Sequence, residues 1–142
     1  MLVNQMYRHM RGVTLVELMI VVVVLAILTA VAYPNYREFA ARAKRNEAKA
    51  ALLQIATNQE RHYLNNNQYT NDMTQLGFAA SPFTTESGSY QVSVAGANGD
   101  NYTATATYQN ADAEAGKCLT FQIDGRGQRT SAPDADCWTR TR

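Results

Sequence analysis

Very few residues in this chain could do chemistry, and their spacing rules most of it out. His9 and His62 each stand alone, with neither cysteine at ligand spacing from them. Cys118 and Cys137 are too far apart for a Cys-x-x-Cys redox pair. Asp124, Asp134 and Asp136 lie near one another without the ordered alternation of a calcium loop, and turn chemistry accounts for them. No glycine-rich phosphate loop follows a strand and opens a helix, and no serine sits in a nucleophile elbow. The sequence therefore assigns no metal, no cofactor and no catalytic group, and does not read as an enzyme. One residue is left out of place. Glu17 is the single charge between Val13 and Tyr33, and a carboxylate inside so apolar a run wants a partner and marks function.

The element that must position Glu17 is the stretch Gly12 to Pro34, GVTLVELMIVVVVLAILTAVAYP. A bilayer core takes roughly 20 apolar residues as a helix, so the stretch is long enough to span one. Its valines and isoleucines would suit a buried strand, but not one of this length. In lipid a helix satisfies the backbone. Ahead of it lies a short polar head with Arg8 and Arg11, which fits a secretory signal and the positive-inside rule. The apolar run is longer than that of an ordinary signal, and Thr29, Ala30 and Ala32 make a poor cleavage site after it. Gly12 offers close backbone access before it. Cleavage there would remove the basic head, keep the apolar helix, and place the new amino terminus, Val13, one helical turn from Glu17.

Gly12-Val13-Thr14-Leu15-Val16-Glu17-Leu18, with Arg11 before it and the apolar run and Pro34 after it, resembles the type III signal of type IV pilins. The resemblance implies that prepilin peptidase cuts after Gly12 and N-methylates Val13. It also makes Glu17 the carboxylate of filament assembly and places Pro34 in the assembly helix. The family usually has phenylalanine where this chain has Val13. Three regions follow: residues 1–12 as a leader that is removed, 13–34 as the transmembrane and filament-core segment, and 35–142 as the globular head.

A length of 142 residues bounds the rest to one domain with an appendage. The formal charge is +1; without Arg8 and Arg11, eleven cations face twelve anions and the balance is −1. Neither value demands a nucleic-acid partner. Beyond Pro34 the helical pattern continues to Leu64, rich in strong helix formers, with Ala48, Leu52, Ile55, Ala56 and Tyr63 along one face. Pro34 should kink or loosen that helix, which from Val13 would be about 78 Å long. Arg37, Arg42, Lys44, Arg45 and Lys49 form either a solvated face or a contact with lipid headgroups.

Asn65, Asn66 and Asn67 should end the helix. A connecting loop then runs to Ser89, with Met73, Leu76 and Phe78 as a short turn covering the core. Tyr90, Val92 and Val94 alternate with polar residues, as do Tyr102, Ala104, Ala106 and Tyr108, across a Gly/Asn/Asp turn, which predicts a hairpin. Cys118 to Ile123 reads as a third strand and Gln128 to Ser131 as a short fourth. The expected class is α+β: a long amino-terminal helix packed by its second half on a small antiparallel sheet of three to four strands.

The segment Gln59-Glu60-Arg61-His62-Tyr63, then Asn67, Tyr69-Thr70 and Leu76-Gly77, is similar to the one that follows the long helix in PilE-type minor pilins, as is the Asp136-Cys137-Trp138 ending. That branch implies a structural subunit of a type IV pilus supporting adhesion and twitching motility. Its partners would be other pilin subunits, prepilin peptidase and the bacterial inner membrane before export to the filament. In an exported domain Cys118 and Cys137 favour a structural disulfide. The branch also contains ComP-like receptors for DNA. The corresponding feature here would be a stripe of Lys117, Arg126, Arg129, Arg140 and Arg142 beside Trp138, an alternative to scattered surface charges balanced by Asp124, Asp134 and Asp136. A pseudopilin of a secretion system is a third reading, against which the late cysteine pair counts.

Overall fold

The computed structural model describes residues 12–140, so Arg8, His9, Arg11 and Arg142, with the rest of the expected leader before Gly12, lie outside it. One long helix comes first, α1 (Leu15–Asn66), and then five strands: β1 (Phe83–Thr84), β2 (Tyr90–Ala95), β3 (Thr103–Tyr108), β4 (Cys118–Asp124) and β5 (Arg129–Pro133). The chain divides after Arg37 into two compact units, and α1 contributes to both.

In the first unit α1 opens on Thr14, whose Oγ1 accepts the Glu17 N–H at 3.2 Å while its carbonyl accepts that of Leu18. This is an N-cap, and Thr14-x-x-Glu17 has the spacing of a capping box. The helix runs through Pro34 without a break. Every large apolar side chain described from Val13 to Tyr33 is at least 48% exposed. Nothing within this unit covers them.

The second unit is built differently. One face of α1, with Ala48, Leu52 and Ile55 fully buried, packs on the sheet through Tyr90, Val92, Ala104, Ala106, Phe121 and Ile123. The sheet is an antiparallel meander in chain order. Its alternation holds: β2 buries Tyr90, Val92 and Val94, and β3 buries Ala104, Ala106 and Tyr108 while Thr103, Thr105 and Thr107 sit half-exposed on the other side. Ala104 and Ala106 on β3 lie in the core with the buried face of the helix, between Tyr102 and Tyr108. Burial pushes the Tyr102 phenol up to about 12 and raises that of Tyr90 further, so both stay neutral, and Tyr90 donates to the Cys118 carbonyl at 3.0 Å.

The strand count differs from the expected three to four. The additional strand, β1, lies within the segment read as loop and pairs Phe83 with Val92 and Thr84 with Gln91. Two residues carry no readable alternation, and only the neighbouring β2 edge makes them a strand. The rest of that segment matches its reading: Met73 and Leu76 are buried beneath a turn, and Phe78 stacks on Phe83 at 4.6 Å. The helix ends at Asn66, and Asn67 takes the left-handed conformation, with φ of 54°.

Three polar contacts on α1 went unread in the sequence. Gln59 is fully buried because its amide closes a pair of hydrogen bonds with the backbone of Thr70, at 2.6 and 3.0 Å. Lys49, its charge disfavoured by burial, donates to the Trp138 carbonyl at 3.0 Å. Arg45 is buried against Glu114 in a two-pronged ion pair, Nη2 to Oε2 at 2.6 Å, which clips the β3–β4 connection to the helix. The Glu114 hydrogen bond holds the Arg45 pKa above its ordinary value, against the opposing pull of burial.

Breaking such a pair by removing one partner strands a buried charge, at a cost of about 3–5 kcal/mol. Arg45→Met alone and Glu114→Leu alone are therefore each expected to destabilise the protein by that order in denaturant unfolding of the detergent-solubilised chain. The double variant, leaving no orphan charge, should recover most of the loss; equal losses in all three would show that the pairing is not what matters.

Candidate functional site

Two separate places carry the residues singled out by the sequence. The first is the start of α1. Gly12 and Val13 precede the helix, and nothing lies within 4 Å of where a Cβ on Gly12 would be. Glu17 sits at the third helical position, exposed, with its backbone N–H on Thr14. Thr14 escaped notice in the sequence, although the Thr-x-x-Glu spacing before an apolar run was there to find. It fixes where the helix starts, and so fixes Glu17 within the first turn. A carboxylate there is favoured by the amino-terminal end of the helix dipole, which offsets part of what it would cost in an apolar surrounding. Pro34 lies inside the same helix. It cannot donate to the Ala30 carbonyl, and next to it the Asn35 amide donates to the Val31 carbonyl at 3.3 Å.

The second place is the carboxy-terminal loop. Cys118 opens β4 and bonds to Cys137, with 5.9 Å between their Cα atoms and both residues fully buried. The bridge holds the segment after β5 against the core, where three further contacts fasten it. Lys49 holds the Trp138 carbonyl, the indole N–H donates to the Thr130 carbonyl at 2.6 Å, and the indole meets the Phe121 ring edge-on at 5.7 Å. Gly125 closes the β4–β5 turn; a Cβ there would lie 2.8 Å from the Asn101 side-chain oxygen, which accepts the Gly125 N–H.

The structure breaks up the proposed basic stripe. Arg126 and Arg129 are exposed at the β4–β5 turn, and the Arg129 guanidinium stands 5.5 Å over the Trp138 ring. Lys117 lies at the opposite end of β4, roughly 20 Å along the strand. Arg140 is committed to Asp134 and Asp136, at 2.9 Å each, and the hydrogen bond it donates to Asp134 raises its pKa. Asp124 accepts the backbone N–H groups of Arg126 and Gln128 at its own turn. What remains together is Arg129 and Trp138, with Arg126 exposed at the same β4–β5 turn as Arg129.

Comparison with known proteins places the chain. The family described as "Type IV minor pilin ComP, DNA uptake sequence receptor" matches residues 34–122, and the "Prokaryotic N-terminal methylation motif" matches residues 7–33. The first match covers more than half of the chain, which belongs to the type IV pilin family in its ComP branch. Among curated proteins it is 44% identical over 69 residues to the type IV major pilin protein PilA of Myxococcus xanthus, covering 49% of this chain and 31% of that one. It is 38% identical over 104 residues to a fimbrial protein of Neisseria meningitidis, covering 73% of this chain and 59% of that one. The chain thus spans about a third of the length of the first relative and somewhat under two thirds of the second. A solved type IV pilin from Shewanella oneidensis overlaps 70% of this chain and 99% of its own, at 26% identity and a TM-score of 0.49.

The bridge between Cys118 and Cys137, 19 residues apart, closes a loop worth about 3 kcal/mol by chain entropy. Thiol titration of the non-reduced protein should find no free cysteine, and Cys118→Ala with Cys137→Ala should lower the unfolding free energy by about that amount. Two titratable thiols before reduction would contradict the pairing.

Proposed function

We propose that this chain is a structural subunit of a type IV pilus. Prepilin peptidase cuts between Gly12 and Val13 and methylates Val13, and the segment 13–34 holds the chain in the inner membrane by a single span. The same segment then passes into the core of a helical filament outside the cell. One observation carries this reading: a single helix has one half that packs a face on its own sheet and another half that is apolar and exposed throughout. Water is no home for that half, and both lipid and a bundle of like helices are. Glu17 then acts in assembly. Its carboxylate, at the first turn beside the freed amino terminus, meets the Val13 amino group of a neighbouring subunit, and each neutralises the other in apolar surroundings.

Glu17→Val should be processed normally, with an intact mass that begins at Val13 and carries the methyl group. It should nevertheless be scarce in sheared filaments, since the unpaired amine of its neighbour costs about 3–5 kcal/mol when buried. Incorporation at the level of the unaltered chain would remove Glu17 from assembly.

A second reading, that the displayed head binds DNA, is favoured by the ComP description of the matching family, by Arg129 standing exposed over Trp138, and by Arg126 exposed at the same turn. The family match ends at residue 122, before that turn. Each phosphate contact should give a slope of about −0.9 in log affinity against log salt. Titration with duplex DNA at two salt concentrations should show a salt-sensitive component that falls by about two contacts in Arg126→Ala with Arg129→Ala. Arg140→Ala should matter less, its charge being already paired. Absence of binding at low salt would leave the scaffold reading alone.

A further inference from the structure

Of the five cations Arg37, Arg42, Lys44, Arg45 and Lys49 on α1, the last three have partners within the domain. Arg45 is paired with Glu114, Lys49 holds the Trp138 carbonyl, and Lys44 stands 5.9 Å from the Tyr108 ring centre. Arg37 is different. It is exposed, has no carboxylate partner among the described residues, and lies 6.0 Å over the Tyr33 ring, one turn earlier on the helix. Tyr33 and Tyr36 are 64% and 68% exposed. Two amphipathic rings and one unpaired guanidinium therefore form a band where the apolar run stops.

We infer that Tyr33, Tyr36 and Arg37 form a collar for the phosphate groups of phospholipid headgroups, which sets the depth at which the stored subunit rides in the bilayer. The inference rests on the membrane-stored stage proposed above and adds the residues that fix it. Lengths agree with it. The helix from Leu15 to Tyr33 covers about 27 Å, against about 30 Å for the hydrocarbon core. Arg37 lies about 6 Å further on, and the headgroup layer on each side is roughly 5–7 Å thick. Tyrosine suits that boundary because its ring takes the apolar side and its hydroxyl the wet one. The guanidinium presents a fork of donors that fits phosphate oxygens, and its stack on Tyr33 orients it along the helix without tying up those donors. The collar also has a consequence for export: extraction into a filament must break these contacts, so the band would act as a stop that holds the subunit at one depth until it is pulled.

The test uses the full chain in phospholipid vesicles whose acyl chains carry bromine either near the headgroup or near the terminal methyl, reading tryptophan quenching. The unaltered chain, in which Trp138 is the single tryptophan, supplies the baseline. Tyr33→Trp should gain quenching mainly from the shallow bromines and Leu25→Trp mainly from the deep ones. Adding Arg37→Glu to Tyr33→Trp should abolish the shallow preference, whereas Arg37→Lys should retain most of it. If Leu25→Trp is quenched but Tyr33→Trp shows no shallow preference, or if Arg37→Glu leaves the profile unchanged, the collar is wrong while the membrane stage stands. If Leu25→Trp is quenched by neither lipid, the membrane stage itself fails.

Discussion

A helix that carries about twenty apolar side chains and nothing to cover them constrains everything else in this protein. Transfer of such side chains from water is worth about 1.5–3 kcal/mol each when complete, far more in sum than a small domain's whole stability. The segment must therefore always lie in something other than water. A bilayer or a bundle of like helices would each meet that requirement. The requirement also bears on the lone carboxylate there. In water Glu17 would be one charge among many, but in apolar surroundings an unpaired carboxylate is costly and calls for a counter-charge.

The second half of α1 answers to an ordinary constraint, the making of a core from few residues. Ala48, Leu52 and Ile55 give the helix a narrow apolar face, and a sheet with alanines on its central strand lies close against it. So thin a core needs fastening at its margins, and polar groups provide it. Arg45 and Glu114 clip one connection, Gln59 and Thr70 another, and the disulfide with Lys49 and Trp138 ties down the last segment. Each fastening spans many residues of sequence, so each removes loop freedom that burial alone would not repay.

The same fastenings decide what is left for recognition. Arg140 is used up holding the carboxy-terminal loop in shape, and Arg45 and Lys49 are turned inward on the helix. Arg126 and Arg129 at one turn, and Arg37 at the top of the apolar run, keep their charge for something outside the chain. Surface chemistry in this protein is thus what remains after the core has taken the cations it needs.

Periodicity determined the second half of the helix and the β2–β3 hairpin, because burial on one face imprints a repeat of 3.6 or 2 directly on the sequence, and the first half of the helix was legible from the length of its apolar run. That Glu17 and Pro34 lie within one helix was equally legible, since a charge and a proline stand out against an apolar run. The five-stranded sheet was not, because β1 is a strand only by virtue of the edge it pairs with. Nor could spacing show that Arg45 and Glu114, 69 residues apart, would meet, or that Arg140 would be spent on Asp134 and Asp136 while Arg126 and Arg129 stayed exposed. Which charges are buried, paired or left for a partner depends on how distant segments close over one another, and only the tertiary structure decides that.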